Sequence, residues 1–244
     1  MKTLKKLAML AVLMASALAV SAQVFDFNID PANQPIPDGD ANGIQDTRTV
    51  TGAGPFPLGF FMKVKLNIQG LDDLRLANNG DYYVTLAKGG TLLKSVLVNR
   101  PGKPLNQGAG YGDNGMNITL QDFLPNGTAA PDVHNYQNVL GNVFQSPLTG
   151  VWSPDGRNAD PSLVTANRAD AINQPLKMLS VFDGTNPNGD WTLFVADMAS
   201  GGQGKLVSWG LEFVAVPEPH EYAFIAGLAL IGFALYRRYT LKIA

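Results

Sequence analysis

A chain of 244 residues without a cysteine can form no disulfide, thiolate metal site or thiol nucleophile, so an exported form of it must rely on its core for stability. Its 18 Lys and Arg against 20 Asp and Glu are unevenly spread: residues 23–216 hold 12 of the former and 18 of the latter, a net charge of about −6. That balance disfavours nucleic acid as a partner, and polyanionic polysaccharide too unless a divalent cation intervenes.

The chain opens with Lys2, Lys5 and Lys6, an uncharged run from Leu7 to Val20, and Val20-Ser21-Ala22 as a small-residue cleavage site. Residues 1–22 are therefore expected to be a secretory signal peptide. Residues 23–216 remain as one domain, long enough for a sizeable core.

Within that domain the apolar residues recur with a period of two. Met62, Val64, Leu66 and Ile68 alternate with Lys63, Lys65 and Asn67, as in a strand with one wet face. Tyr82, Val84 and Leu86 alternate with Tyr83 and Thr85, and Met116, Ile118 and Leu120 with Asn117 and Thr119. Trp191, Leu193 and Val195 form a later stripe, and Val207, Trp209, Leu211 and Phe213 the last. Turn signals separate the stripes, among them Asn79-Gly80-Asp81, Lys88-Gly89-Gly90 and Ser200-Gly201-Gly202. Many short strands so spaced predict an all-β fold, an antiparallel β-sandwich with jelly-roll topology among the candidates. From Pro125 to Pro175 the stripes give way to Asn, Pro, Gly and Asp, which predicts a long loop-rich insertion with short elements of its own.

Three groups of residues could carry chemistry. Asp38, Asp40, Asn42 and Asp46 place side-chain oxygens at positions one, three, five and nine, with Gly43 at six, as in a calcium loop; Thr49 stands where a bidentate Glu would complete it. Two readings stand, a calcium site or a polar turn entering the first strand. Asp113-Asn114 with Asp122 is a second, weaker oxygen-rich turn. Trp152, in the stretch Gly150 to Gly156, is a candidate for stacking on a sugar, against a loop residue tucked onto the sandwich; Trp191 and Trp209 belong to the apolar stripes and to the core. Hydrolytic catalysis has little to use. Of the two histidines, His134 reads as an exposed loop residue and His220 lies in the tail, and neither a nucleophile elbow nor a phosphate loop is present. Asp72 and Asp73 are adjacent and would point to opposite faces of a strand. The chain is expected not to be an enzyme.

The strand and turn pattern resembles the P-domain of proprotein convertases. The resemblance rests on Pro35-Ile36-Pro37-Asp38, Thr47 to Gly52, Val64 to Gly70 and Asp81 to Thr91. It is densest over Phe182-Asp183-Gly184, Asn188 to Leu193, Asp197 and Gly204 to Leu211. It implies a jelly-roll β-sandwich that accompanies a protease domain in some proteins and stands without one in many bacterial exported proteins. No His-Thr pair precedes the Asp81 strand, and Lys88-Gly89 replaces a Ser-Pro, so roles of protease-linked members do not transfer.

Residues 217–244 form a tail. Val216-Pro217-Glu218-Pro219 interrupts any regular element, an uncharged run from Tyr222 to Tyr236 follows, and Arg237-Arg238 close it on the cytoplasmic side. Fifteen residues of helix reach about 23 Å, short of the roughly 30 Å hydrocarbon core, so a transmembrane helix over 222–236 would be marginal. The tail resembles the PEP-CTERM sorting signal of Gram-negative bacteria, which implies recognition by an exosortase-type enzyme and removal near Pro217. An ordinary uncut anchor is the other reading. The expected course is Sec-dependent export, transient inner-membrane association and delivery to the cell surface or extracellular matrix, with exopolysaccharide a candidate partner. The alternative function is a carbohydrate-binding module, calcium-dependent if the Asp38 segment holds the ion.

Overall fold

The computed structural model describes residues 22–28, 34–56, 59–102, 110–141, 146–157 and 178–216, with 227, 228, 230–233 and 238 in the tail. Ten strands occupy the described residues: β1 (Ala22–Asn28), β2 (Gln34–Pro35), β3 (Asp40–Val50), β4 (Phe60–Gly70), β5 (Tyr82–Lys88), β6 (Lys94–Asn99), β7 (Met116–Leu120), β8 (Leu148–Trp152), β9 (Gly189–Asp197) and β10 (Gly204–Ala215). One sheet runs β1-β10-β4-β7-β8, with β2 against the start of β10, and the other runs β3-β9-β5-β6. The two form an open sandwich, as the alternation predicts.

Alternation becomes packing most plainly in β4, where Met62, Val64, Leu66 and Ile68 are buried and Lys63, Lys65 and Asn67 are half-exposed. Two stripes depart from the expectation. β10 carries a bulge between Leu206 and Ser208, opposite Ile68 and Asn67, so Leu206 turns inward and Val207 leaves the stripe. One extra residue reverses the faces of everything beyond it. In β5 the expected wet face is absent: Tyr83 and Thr85 are 4% and 3% exposed, so the strand is buried on both sides.

The sandwich is not wholly antiparallel, because β7 and β8 pair in parallel, Met116 opposite Leu148 and Leu120 opposite Trp152. Parallel neighbours need a long crossover, and the loop-rich stretch supplies it. That stretch has elements of its own, a 3-10 turn at Val133–Asn135 and a short helix at Tyr136–Leu140. Trp152 ends β8 and is not in a loop.

Between the sheets the aromatics interlock edge to face. Phe60 and Phe213 stand 5.0 Å apart at 85°, Phe182 and Trp191 5.0 Å apart at 69°, and Trp191 lies 5.8 Å from Phe213. Trp191 and Trp209 are fully buried, the positions their stripes predict. Burying each such side chain stabilises by about 1.5–3 kcal/mol. Two of them together contribute about 3–6 kcal/mol, at least comparable to the roughly 2–4 kcal/mol of a disulfide.

The chain ends of the sandwich lie together. Ala22 at the start of β1 is in register with Val214 near the end of β10, and Val216 N–H donates to Gly59 O at 3.1 Å. The signal-peptide segment before Ala22, Pro217-Glu218-Pro219 and Arg237 lie outside the described residues. Most of the helix expected over 222–236 does too; positions 227, 228 and 230–233 are helical, with Leu230, Ile231 and Phe233 exposed. Among the described residues no helix is long and apolar enough to cross a membrane.

Candidate binding site

The oxygen-rich segment Asp38 to Asp46 runs from a turn into strand β3, which begins at Asp40 and is irregular between Asp40 and Ile44. Its side chains make contacts within the protein. Asp38 Oδ1 accepts from Gly201 N–H at 3.1 Å, and Asp40 Oδ1 accepts from both the backbone and the amide of Asn42 at 2.9 Å. Asp46 Oδ2 accepts from Trp209 Nε1 at 2.6 Å and from Arg48 Nε at 2.8 Å. Gly43 instead serves a bulge: its φ is +50°, and a Cβ there would lie 2.2 Å from Val195 O. Among the described residues no three His, Asp or Glu side chains are grouped to hold a metal. The second turn is likewise committed. Asp113 accepts from Tyr136 Oη and Gln137 Nε2, Asn114 Oδ1 from Ala77 N–H, and Asp122 from the N–H groups of Leu179 and Ser180.

Trp152 offers no face to a sugar. It is 3% exposed, lies 6.1 Å from Tyr136 in an edge contact, and donates Nε1–H to Thr149 O at 2.9 Å. His134 also differs from the exposed loop residue expected. It is buried, with Nδ1 2.7 Å from Asp155 Oδ2 and 3.1 Å from Asn99 O. Arg157 spans Asp155 at 2.9 Å and Asp132 at 2.7 Å, and Asp132 accepts from His134 N–H. Burial opposes the Arg157 charge, but these carboxylates outweigh it and raise its pKa. The four side chains clasp β6, the 3-10 turn and the chain after β8. Asp72 and Asp73 lie in a bend after β4, where Asp72 accepts from Leu74 and Arg75 N–H groups and pairs with the Arg75 guanidinium.

A charged cluster fills the sandwich end farthest from Ala22. Asp197, at the end of β9, is 1% exposed and lies opposite Tyr82 in β5 and Asp40 in β3. Burial first, then the charges of Asp81 and Asp38, push its carboxyl up to about 7, against the pull of N–H bonds from Ala199 and Gly39. Arg100 Nη2 stands 3.8 Å from Asp81. Tyr82 is buried in the same place, and burial raises its pKa.

A concave feature lies on the outer face of the four-stranded sheet, a groove of about 320 Å³. Strand register builds it. Gln45, Phe194 and Thr85 line up across β3, β9 and β5, and Thr192, Ala87 and Lys94 across β9, β5 and β6. Tyr83 and Thr85 form a buried floor, Phe194 leans edge-on to Tyr83 at 6.2 Å, and Lys94 Nζ lies 5.8 Å from the Tyr83 ring centre. Thr192 is fixed by a 2.8 Å hydroxyl contact with Thr47. None of these residues is a site candidate in the sequence reading. A signal was available nonetheless: Phe194 falls between Leu193 and Val195, so period two sends a large aromatic to the outer face, where one is informative.

With this geometry in view, residues 151–213 match the family model of the proprotein convertase P-domain, the stretch that runs from the end of β8 through β9 to most of β10. No curated protein is matched by the chain. Among solved structures, the serine protease of Aeromonas sobria is similar at 16% identity over 81% of this chain, with a TM-score of 0.39. The same protease in complex with its chaperone ORF2 gives 16% identity over 84%, with a TM-score of 0.37. The chain spans 27% and 29% of those chains. The family match covers about a quarter of the chain and lies within the β-sandwich.

Proposed function

We propose that the chain is a non-catalytic exported protein, carried out by the Sec machinery, held briefly in the inner membrane through 222–236 and processed at Val216-Pro217-Glu218-Pro219 by an exosortase-type enzyme. Its sandwich then serves as a structural or adhesive component at the cell surface or in the extracellular matrix. The observation that carries this reading is the pairing of Ala22 with Val214. Targeting segments at the two ends would attach side by side, one at the start of β1 and one just after β10. A tail so attached can be removed without opening the core. The reading of His134 as non-catalytic is supported by its burial, 8% exposed, which leaves the ring little access to a substrate. Expression with and without an exosortase-type enzyme, followed by mass measurement of the mature protein, tests the reading. Loss of residues beyond about 217 only when the enzyme is present is the expected result; an intact tail in both cultures refutes it.

A second reading, a carbohydrate-binding module, is favoured by the outer-face groove, where an aromatic edge, hydroxyls and an amide sit side by side. Pull-down on polysaccharides with and without EDTA tests it, and retention unaffected by EDTA is expected because the Asp38 segment is engaged in protein contacts.

A further inference from the structure

We infer that the outer-face groove takes an oligosaccharide bearing a carboxylate, a uronate-type sugar, with Phe194 receiving the ring and Lys94 its acid group. This rests on the carbohydrate-binding reading and gives it a place and a ligand class. The groove differs from the rest of the domain in charge. Residues 23–216 carry a net charge of about −6, yet among the described lining residues Lys94 is the one charged side chain, and it is cationic. Lys94 is exposed, at the start of β6, and makes no ion pair among the described residues. Its one described partner is the Tyr83 ring at 5.8 Å. An ammonium so held is available to a carboxylate, and the aromatic below limits where it can reach.

The remaining lining matches the rest of a sugar. Phe194 is half-exposed and presents an apolar surface to C–H groups, while Thr192 and Gln45 supply a hydroxyl and an amide that both donate and accept, as sugar hydroxyls require. The volume, about 320 Å³, is at the small end of ligand sites and suits one or two sugar rings more than a long chain. A neutral sugar would leave Lys94 unused, and an apolar peptide would leave the Thr192 hydroxyl and the Gln45 amide facing carbon. The surrounding negative charge repels long polyanions at a distance, so short oligomers at moderate salt are the favoured ligands.

Titration calorimetry on the full chain in detergent, at 0.15 M salt, tests this with a galacturonate trimer, its methyl ester and a neutral galactose trimer. Saturable binding of the acid is expected, with the ester and the neutral trimer about tenfold weaker. Lys94→Gln should abolish that preference, Lys94→Arg should keep it, and Phe194→Ala should weaken all three ligands. Unchanged near-ultraviolet dichroism would show that each variant is folded. An acid preference that survives Lys94→Gln, or equal binding of acid and ester by the unaltered chain, overturns the proposal. Neutral-sugar binding indifferent to Phe194→Ala overturns the groove but leaves the carbohydrate reading standing. Failure of all three trimers and of polysaccharide pull-down removes both.

Discussion

Replacing Asp197 by Asn should make the domain more stable at pH 8 and leave it unchanged near pH 4. In the fold this carboxyl is buried beside Asp81 and Asp38 and titrates at about 7, against an ordinary 3.8. The folded state therefore holds the proton more tightly than the unfolded chain. Below about pH 4 both states are protonated and the full stability is present. As pH rises from there to about 7 the unfolded chain releases its proton first, and stability falls by about 1.4 kcal/mol per pH unit. Above pH 7 the loss is complete, roughly 4 kcal/mol as an order of magnitude. An asparagine carries no charge, and its oxygen can still accept from Ala199 N–H, so it escapes the loss. Asp72, held at about 2 first by the Arg75 side chain, contributes a slope of opposite sign only below about pH 5, where the unfolded chain takes up its proton, and does so equally in both proteins. Asp183 is raised by burial and by Asp122, with the same sign as Asp197, so a residual slope should survive in the variant. Urea melts of residues 23–216 at pH 4.5, 6 and 8, followed by the fluorescence of the three buried tryptophans, measure this directly. Parallel pH profiles for the two proteins, or a variant less stable at pH 8, would refute the argument.

Other consequences can be checked the same way. Trp209→Phe removes the Nε1–H bond to Asp46 while keeping most of the ring, and should cost about 2 kcal/mol in the urea midpoint. Phe182→Ala opens space against Trp191 in the core and should cost roughly 3–5 kcal/mol, read from the same melts. Gly204→Ala would set a Cβ 2.2 Å from Tyr82 Oη inside the core, and a loss of about 1–3 kcal/mol is expected. Removing 217–244 should leave a folded, soluble domain whose thermal midpoint lies within a few degrees of the parent; a chain that fails to fold would show that the tail does more than direct export.

Much of the sandwich is legible in the residues because side-chain direction along a strand alternates by covalent geometry alone. β4, β7 and β9 follow from that rule, and with them the core positions of Trp191 and Trp209. The rule breaks where one residue is inserted, at Val207 in β10, since a bulge depends on the partner strand and leaves no local mark. It also cannot say whether an outer face is wet. Tyr83 and Thr85 alternate as exposed residues would, yet they are buried, because burial is decided by what packs above the sheet.

The site shows the same division more sharply. Spacing along the chain makes Asp38, Asp40, Asn42 and Asp46 a possible cation loop, but spacing says nothing of partners distant in the chain, and only the fold shows Asp38 meeting Gly201 and Asp46 meeting Trp209. Trp152 was open to a loop or to a ligand until parallel pairing with β7 drew it inside. Residue order determined the alternating stripes, the acidic cysteine-free character and the two terminal segments, all properties of composition and local geometry. The groove of Gln45, Tyr83, Thr85, Lys94, Thr192 and Phe194 came only from tertiary structure, because its members sit on four strands far apart in the chain and meet only through their cross-strand register.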